Sequence, residues 1–428
     1  MNKTFKPWAR KALTLVSLAP LAVIGALTSA AQAAPLRLQA FGDATEQGAY
    51  NALIKAFNAV APDIQVELIP VAKQSDHMAK LSTAFAAGDA PDLFLVNFRR
   101  FGQFAARGVL EPLGTRLTER GKFRESDYYE PATEAFRFDG ALMCVPQNVS
   151  SLVVYWNVTL FKQAGLPPPA PDWTWADFTR IAKALTRDTD GDGKIDVYGV
   201  AFEATLVRLM PFIWQAGGEL VDNLAKPTRF TADTPAANEG LEYLRSWATQ
   251  KLMPPLSESR GTEYEARFAR GALGMALNSR RYTSNLRAVP GLDWDVAPLP
   301  RGKNSATVLH SDAYCMAKTS PNKEAAYRFV EFATGPVGAA VMARTGRTVP
   351  SLKSAAQSPA FLDPTAKPRS AQVFLDSIAQ TRRPPNIGAW NEIESRSDAL
   401  IEAWLFGPPM KPLGQQLNEA TQGLFNKP

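Results

Sequence analysis

The sequence predicts an α/β protein built from two doubly wound lobes. The first observation is a strand–helix–strand–helix–strand order near the amino terminus, which is typical of a parallel sheet covered by helices. The second is a further series of apolar strands and amphipathic helices that begins near Val145 and Pro146. The third is the length of 428 residues, which is enough for two or three cores of ordinary size.

The elements of the first lobe follow from the spacing of apolar residues. Alternation predicts strands over residues 36–40 and 64–68, and helical spacing predicts helices over residues 50–60 and 78–85. A largely apolar run over residues 92–96 is typical of a strand buried on both faces. These five elements, joined by short connections, predict a parallel sheet.

The rest of the chain shows the same mixture of patterns. We expect strands over residues 141–145, 152–156, 274–277, 294–297 and 313–317. We expect helices over residues 176–185, 206–215 and 236–250, and one that starts at Pro321, because proline is favourable at the first helical position.

The amino terminus has the pattern of a secretory signal peptide, residues 1–33. Four basic residues precede an apolar run over residues 12–27, and Ala31-Gln32-Ala33 forms an A-x-A cleavage site. An uncleaved membrane anchor is disfavoured because the run is shorter than the roughly 20 residues that a span needs. The sequence has no cysteine near the cleavage site, so a lipid anchor there is also disfavoured. We therefore expect a soluble protein exported to the periplasm.

Removal of the signal peptide also changes the charge. The formal net charge of +6 falls to +2, because four basic residues and no acidic ones are lost. The basic composition of the whole chain first suggests a polyanionic partner, but the mature chain gives no reason to expect nucleic acid.

Two cysteines, Cys144 and Cys315, enter an oxidising compartment. Each lies in a short apolar stretch typical of a buried strand. Their number permits one disulfide, but two buried free thiols are equally compatible with the sequence.

Motifs of catalytic sites are missing from the mature sequence. It contains only two histidines, His77 and His310, and neither lies in a G-x-S-x-G or H-E-x-x-H context. P-loop and dinucleotide-binding glycine motifs are missing too. A pair of carboxylates for glycoside hydrolysis stays open, because their separation is three-dimensional. We expect no catalytic residues and no required cofactor.

One acidic loop has the spacing of a calcium site. Asp188, Asp190, Asp192 and Asp196 match the carboxylate positions at the start of an EF-hand loop, and Lys194 stands where that loop uses a backbone carbonyl. The final bidentate glutamate is replaced by a glycine. The sequence therefore leaves two alternatives open: a structural calcium ion, or a tight Asp/Gly-rich turn that needs no metal.

Several segments together resemble a known family, the extracellular solute-binding proteins of carbohydrate ABC importers, the two-lobed class that includes maltose-binding protein. The most specific is Leu81–Phe94, LSTAFAAGDAPDLF. The others are spread in the expected order over most of the mature chain: ALIKAF with APDIQV (residues 52–57 and 61–66), VYWN with LFKQAGL (154–157 and 160–166), WTWADF (173–178) and SPNKEAA (320–326).

The resemblance implies two lobes joined by a hinge, with the ligand in the cleft between them. We expect residues 34–147 with 308–350 to form the N-terminal lobe, and residues 148–307 with 351–428 to form the C-terminal lobe. It also implies hinge-bending closure around a sugar and delivery to ABC transporter permease subunits in the inner membrane. A monomer is the default state for this family.

In doubly wound sheets, ligands meet the loops at the carboxyl ends of strands. That rule selects Asp43, Glu46, Asn97 and Arg99 as ligand contacts. Asp43 and Glu46 have an alternative role, in which their negative charges stabilise the N-terminus of the helix that follows. Relatives often carry aspartate where Asn97 stands, so this chain departs from the family at that hydroxyl contact.

Further ligand contacts are suggested by position in the family. Gln147, Asn148 and Ser150 lie at the first crossing between lobes; Trp214 matches an aromatic residue often near the sugar; Asn278, Arg280 and Tyr282 follow a strand; and Ser311, Asp312, Arg347 and Trp390 complete the set. Trp390 has core packing as its alternative. Arg280 and Arg347 have solvated surface positions as theirs.

We therefore expect a protein that captures a sugar, with an α-linked disaccharide such as maltose or trehalose as the first candidate. The arginines also allow a sugar phosphate or a glycerol phosphate ester. Two other classes stay open: an exported glycoside hydrolase, and a receptor that docks on a membrane sensor when closed.

Overall fold

Residues 1–4, 34–258, 263–408 and 411–426 are described by the computed structural model of the protein. The predicted signal peptide, residues 1–33, lies outside the described residues except for its first four. The chain divides into Met1–Ala34 and a second unit, Pro35–Pro428, which contains every helix and strand named below.

Strands and helices alternate along this unit. The strands are β1 (Leu36–Phe41), β2 (Val66–Val71), β3 (Leu93–Asn97), β4 (Leu110–Glu111), β5 (Arg137–Phe138), β6 (Ala141–Leu142), β7 (Val145–Pro146), β8 (Ser150–Ser151), β9 (Val153–Asn157), β10 (Tyr198–Ala201), β11 (Leu273–Asn278), β12 (Trp294–Ala297), β13 (Thr307–His310), β14 (Asp312–Ala317) and β15 (Thr381–Arg382). The helices are α1 (Ala44–Val60), α2 (Gln74–Ala87), α3 (Phe98–Ala105), α4 (Gly114–Glu119), α5 (Glu130–Glu134), α6 (Val158–Gln163), α7 (Trp175–Leu185), α8 (Leu206–Gln215), α9 (Pro235–Thr249), α10 (Glu263–Ala269), α11 (Tyr282–Arg287), α12 (Lys323–Thr334), α13 (Pro336–Arg344), α14 (Lys353–Ala356), α15 (Gln372–Asp376), α16 (Trp390–Phe406) and α17 (Leu413–Thr421).

Most predicted elements coincide with observed ones to within a few residues, and α8 and β12 coincide fully. Helix α1 begins at Ala44, six residues before its predicted start, because Asp43 caps it there. Three others differ for local reasons. The second strand begins at Val66, because Ile64 N–H donates to Ala61 in a turn. Helix α12 begins at Lys323 rather than Pro321, because the hydroxyl of Ser320 accepts from Asn322 N–H and holds that residue outside the helix. The predicted strand over residues 141–145 is two short strands, β6 and β7, on different partners.

The first sheet has the predicted parallel centre. Its order is β2-β1-β3-β14-β4, with β7 alongside β14. Strand β1 runs parallel to β2 and β3, whereas β14 runs antiparallel to β3 and pairs Asp312 with Asn97. The carboxyl ends of β1, β2 and β3 and the amino end of β14 therefore meet at one edge.

The second sheet has the order β10-β11-β9-β12. It is mixed, because β10 and β11 are parallel and β9 runs antiparallel to both of its neighbours. Successive residues of β9 enter different cores: Val153 and Tyr155 pack with the first core, and Val154 and Trp156 pack with the second. Both faces are thus covered, as expected of a doubly wound sheet.

Two features hold together the chain segments near the crossings between the two sheets, a strand pairing and a disulfide. Strand β13 pairs antiparallel with β8, joining the two crossing segments of the chain. A disulfide links Cys144, just before β7, to Cys315 in β14, and both residues are fully buried. Of the two alternatives left open by the sequence, the structure has the disulfide. Within the described ranges, no helix has the length and apolarity needed to span a membrane.

Candidate functional site

A cavity of about 420 Å³ lies where the carboxyl ends of β1, β2 and β3 face those of β10 and β11. A volume of this size suits a small organic ligand. The lining residues come from many separated segments: Phe41, Gly42, Asp43, Glu46, Tyr50, Ala72, Gln74, Asn97, Arg99, Gln147, Asn148, Ser150, Glu203, Val207, Arg208, Ser279, Arg280, Arg281, His310, Asp312, Arg347 and Thr348.

The structure brings ten of the residues selected from the sequence to this cavity. They are Asp43, Glu46, Asn97, Arg99, Gln147, Asn148, Ser150, Arg280, Asp312 and Arg347. Their contact with a ligand stays a prediction.

One wall is an ion-paired corner at the start of α1. Asp43 is the N-cap of the helix and Glu46 completes a capping box with it. The alternative role predicted for these two residues, stabilising the N-terminus of the helix, is therefore confirmed. The same two carboxylates pair with Arg347: its Nη1 lies 3.1 Å from Asp43 Oδ2, and its Nε pairs with Glu46. Burial raises the pKa of Glu46 to about 7, against the opposing effect of Arg347.

A second wall joins the ends of β3 and β14. Asn97 Nδ2 donates to Asp312 Oδ1 at 2.9 Å, and Asn148 Oδ1 accepts from Asp312 N–H at 2.8 Å. Burial raises the pKa of Asp312, and the hydrogen bond from Asn97 opposes that rise. An aspartate at position 97 would place two carboxylates together. The amide therefore suits the neighbouring Asp312.

The opposite side of the cavity contains a buried polar network. Arg208 Nη1 lies 3.0 Å from His310 Nε2, and Nη2 donates to Asn278 Oδ1 at 3.4 Å. Burial first, and then the charge of Arg208, lower the pKa of His310 well below its usual range. The imidazole is therefore neutral and accepts a hydrogen bond from Arg208. Asn278 Nδ2 donates to Glu265, which also pairs with Arg281 at 2.8 Å.

Five predicted ligand residues lie outside the cavity lining: Trp214, Asn278, Tyr282, Ser311 and Trp390. Trp214 is on α8 like Val207, but seven residues, or about 10 Å, further along the helix, where it is buried in the second core. Trp390 is buried in the same core, which was its alternative role.

The other three have hydrogen-bonding partners inside the protein. Asn278 is fully buried within the network that holds Arg208. The hydroxyl of Tyr282 donates to the carbonyl of Glu265 at 2.7 Å. The hydroxyl of Ser311 donates to the carbonyl of Asn148 at 2.6 Å. These side chains support the cavity from behind.

Several lining residues were not selected from the sequence, notably Gln74, Glu203 and Arg208. Gln74 follows β2 and Glu203 follows β10, so the rule of carboxyl strand ends would have found both if it had been applied to every strand. Arg208 lies on a wholly buried helix, α8, where its charge was the available signal.

The acidic loop gathers part of the predicted calcium set. Carboxylate oxygens of Asp188, Asp190 and Asp196 lie within 4.8 Å of one another. Asp192 instead faces Lys194, whose Nζ lies 3.2 Å away. Asp188 accepts from the N–H groups of three loop residues, as the tight-turn alternative expects. The donor types fit a hard cation. Calcium therefore stays a prediction.

Comparisons with known proteins agree with this geometry. A family model described as bacterial extracellular solute-binding protein matches residues 42–340. A galactooligosaccharide-binding protein of Bacillus subtilis is 22% identical over 367 residues, which cover 84% of this chain and 82% of the relative.

Two solved structures share the architecture. An ABC substrate-binding protein from Listeria monocytogenes, in complex with cycloalternan, is 27% identical, with a TM-score of 0.81 and coverage of 90% of this chain and 98% of that one. UgpB from Mycobacterium tuberculosis, in complex with glycerophosphocholine, is 23% identical, with a TM-score of 0.77 and coverage of 91% and 97%. With its two α/β lobes, the cavity between them and the family match over most of its length, the chain belongs to the bacterial extracellular solute-binding proteins.

Proposed function

We propose that the protein is the periplasmic binding component of a carbohydrate ABC importer. It captures a sugar in the cavity, closes its lobes around it and delivers it to permease subunits in the inner membrane. The ligand proposed first is an α-linked disaccharide such as maltose or trehalose. The lobes are residues 34–147 with 308–350 and residues 148–307 with 351–428, the protein acts as a monomer, and it is neither an enzyme nor lipid-anchored.

The observation that carries this proposal is the pairing of charges in the cavity lining. Arg347 pairs with Asp43 and Glu46, Arg281 pairs with Glu265, and Arg99 pairs with Glu394 behind the lining. Arg208 Nε lies 3.9 Å from Glu203. Four of the five lining arginines thus have a carboxylate partner, and the site offers both donors and acceptors without a large net charge.

Such a lining suits a neutral ligand rich in hydroxyl groups. Each sugar hydroxyl donates one hydrogen bond and accepts others, so carboxylates, amides and guanidiniums can all bind it. Phe41, which is partly exposed, adds aromatic surface that can cover the apolar face of a sugar ring. Lobe closure around a ligand is an established motion of periplasmic binding proteins.

The alternative ligand, a sugar phosphate or glycerol phosphate ester, depends on Arg280. Its Nη1 and Nη2 atoms are buried and have no hydrogen-bond partner among the described residues. The guanidinium lies 4.7 Å from the ring centre of Phe361 and 5.0 Å from that of Phe374. Burial lowers its pKa to about 9. An anionic ligand would need Arg280 to turn from these rings towards the cavity.

The hydrolase alternative has a structural basis in the carboxylates of the lining, but the relatives compared above are binding proteins. The two classes differ in the fate of the sugar. A binding protein returns it unchanged, whereas a glycosidase releases smaller products.

A thermal-shift screen tests these alternatives. The purified mature protein is heated with maltose, trehalose, glucose, galactose, glycerol 3-phosphate and glycerophosphocholine, and the compounds that stabilise it are titrated by calorimetry. We expect a sugar at 100 times its Kd to stabilise the fold by about 2.7 kcal/mol. Chromatography after overnight incubation should recover that sugar intact.

Two variants sharpen the result. Arg347→Gln should abolish stabilisation by the sugar, while Arg382→Gln, which removes an exposed guanidinium outside the lining, should leave it unchanged. Stabilisation by the phosphate esters alone, lost in Arg280→Gln, would replace the sugar with the anionic ligand. Sugar hydrolysis would overturn the binding-protein assignment.

A further inference from the structure

Helix α16 carries two acidic residues one turn apart, Glu394 and Asp398, and neither lines the cavity. Residues four apart on a helix share a face. The side chain of Glu394 is only 1% exposed and has two cationic partners on α3: Arg99, and Arg100 at 2.6 Å. Asp398 Oδ1 accepts from Leu206 N–H, at the start of α8, at 2.7 Å. One face of α16 therefore contacts both α3 and α8.

Glu394 links elements that belong to different cores. Helix α16 packs in the second core through residues such as Ile393 and Trp404, whereas Phe98 and Phe101 of α3 pack in the first core. The backbone of α3 lies against the segment before α16, because a Cβ on Gly102 of α3 would lie only 2.8 Å from the carbonyl oxygen of Ile387. The carboxylate therefore acts across the boundary between the two cores.

Arg99 depends on this carboxylate for its position. It lines the cavity, its guanidinium is largely buried, and Glu394 is its ion-pair partner. Burial alone would oppose ionisation of Glu394, but the charges of Arg99 and Arg100 outweigh it and lower its pKa. A neutral side chain at position 394 would leave two largely buried guanidiniums without their ion-pair partner.

Asp398 replaces a missing helix cap on the other wall. The N-cap of α8 is Thr205, whose side chain makes no capping hydrogen bond and whose hydroxyl has no partner among the described residues. The first N–H groups of a helix have no acceptor within the helix, and an acidic oxygen there also interacts favourably with the helix dipole. Asp398 supplies that oxygen to the turn that carries Val207 and Arg208 into the cavity.

We propose that Glu394 and Asp398 are positioning residues of the ligand site. From a single turn of α16, they hold Arg99 on one wall and the first turn of α8 on the other, and so set ligand affinity without touching the ligand. This inference rests on the proposed function in taking the cavity as the ligand site. In the sequence, Glu394, Asp398 and Glu402 follow one another at a helical spacing of four residues.

Hydrogen–deuterium exchange tests the positioning in the protein without ligand. Asp398→Ala should speed exchange in the first turn of α8 about five-fold, as expected for the loss of one helix cap. Adding Thr205→Asp to that variant should restore the protection, because aspartate is a favoured N-cap. Glu394→Gln should speed exchange across α3. Glu331→Gln, which breaks a partly buried ion pair with Arg120 outside the cavity, should change neither segment.

Calorimetric titration with maltose and trehalose then measures the effect on binding. We expect about ten-fold weaker binding in Glu394→Gln, the size of a lost hydrogen bond to a charged group. We expect weaker binding in Asp398→Ala as well, and recovery of affinity in the Thr205→Asp/Asp398→Ala double variant. Unchanged exchange in both single variants would overturn the proposal. If the wild-type protein bound neither sugar, the proposed ligand would fail, and the exchange results would still decide the positioning role.

Discussion

The disulfide between Cys144 and Cys315 should contribute a large part of the stability of the mature protein. The two cysteines are 171 residues apart in the sequence, so the bond closes a long loop in the unfolded chain. In the chain-entropy treatment, a loop of this length corresponds to about 5 kcal/mol. For a cooperative unit of about 400 residues, that free energy corresponds to a shift of about 6 °C in the melting temperature.

The perturbation is the double variant Cys144→Ala/Cys315→Ala. Alanine is preferred to serine because both positions are fully buried among apolar side chains, where a hydroxyl would need a partner. Thermal and urea unfolding of the oxidised wild type, the reduced wild type and the variant give the comparison. We expect the last two proteins to unfold together, several degrees below the first.

Ligand affinity should change much less than stability. Cys144 lies three residues before Gln147, and Cys315 three residues after Asp312, so the bond is close to the cavity. Pairing of β7 with β14 and a 2.6 Å hydrogen bond from the Tyr314 hydroxyl to Gln147 hold the same segments without it. Equal melting temperatures for oxidised wild type and variant would refute the entropic reasoning, and lost sugar binding would refute the idea that strand pairing suffices.

Four further outcomes are expected from single substitutions. In thermal melts, the stability of Glu46→Gln relative to wild type should rise between pH 5 and pH 8. The pKa of Glu46 is raised to about 7 in the folded protein, so the wild type has the stabilising contribution of Glu46 below about pH 4.5 and loses it as the pH rises through about 7. Asn97→Asp should melt lower than wild type at pH 8 and closer to it at pH 5, since it adds a carboxylate beside Asp312. Trp214→Ala should lose about 3 to 5 kcal/mol in urea unfolding and keep its ligand affinity by calorimetry, because the ring is buried outside the lining. If calcium binds the acidic loop, millimolar calcium should raise the melting temperature of chelator-treated wild type and not of Asp190→Ala; equal responses would favour the metal-free turn.

Much of the fold was predictable because its signals are local. Helical spacing and strand alternation depend on neighbours within one element, so α8 and β12 were placed at their observed bounds. The errors occur where a side chain or turn competes with the pattern, as when the hydroxyl of Ser320 holds Asn322 outside α12. The antiparallel direction of β9 had no local signal, since it depends on the path of the chain between the sheets.

The chain positions of some lining residues were also predictable, from the rule that ligands meet the carboxyl ends of strands. It places Asp43 and Asn97 at one edge, and the cavity is there, with Asp312 joining them from the start of the antiparallel β14. The orientation of a side chain is a different matter. Asn278 ends a strand at the correct edge, but its amide bonds to Glu265 and Arg208, so it supports cavity residues from within the core.

The charge of the site depends on pairs that are distant in the sequence, and this determines which ligand class the cavity favours. Arg347 and Asp43 are 304 residues apart, and Arg99 and Glu394 are 295 apart. In the sequence alone, an arginine such as Arg347 allows an anionic ligand as an alternative to the sugar. In the folded chain Arg347 and Arg99 each have a carboxylate partner, and a phosphate would have to compete with that partner for the same guanidinium. A sugar hydroxyl instead accepts from the arginine and donates to the carboxylate, so both groups of a pair gain a partner and the pair itself persists. Charge pairing within the cavity therefore favours a neutral polyhydroxyl ligand, and leaves Arg280 as the residue on which an anionic ligand would depend.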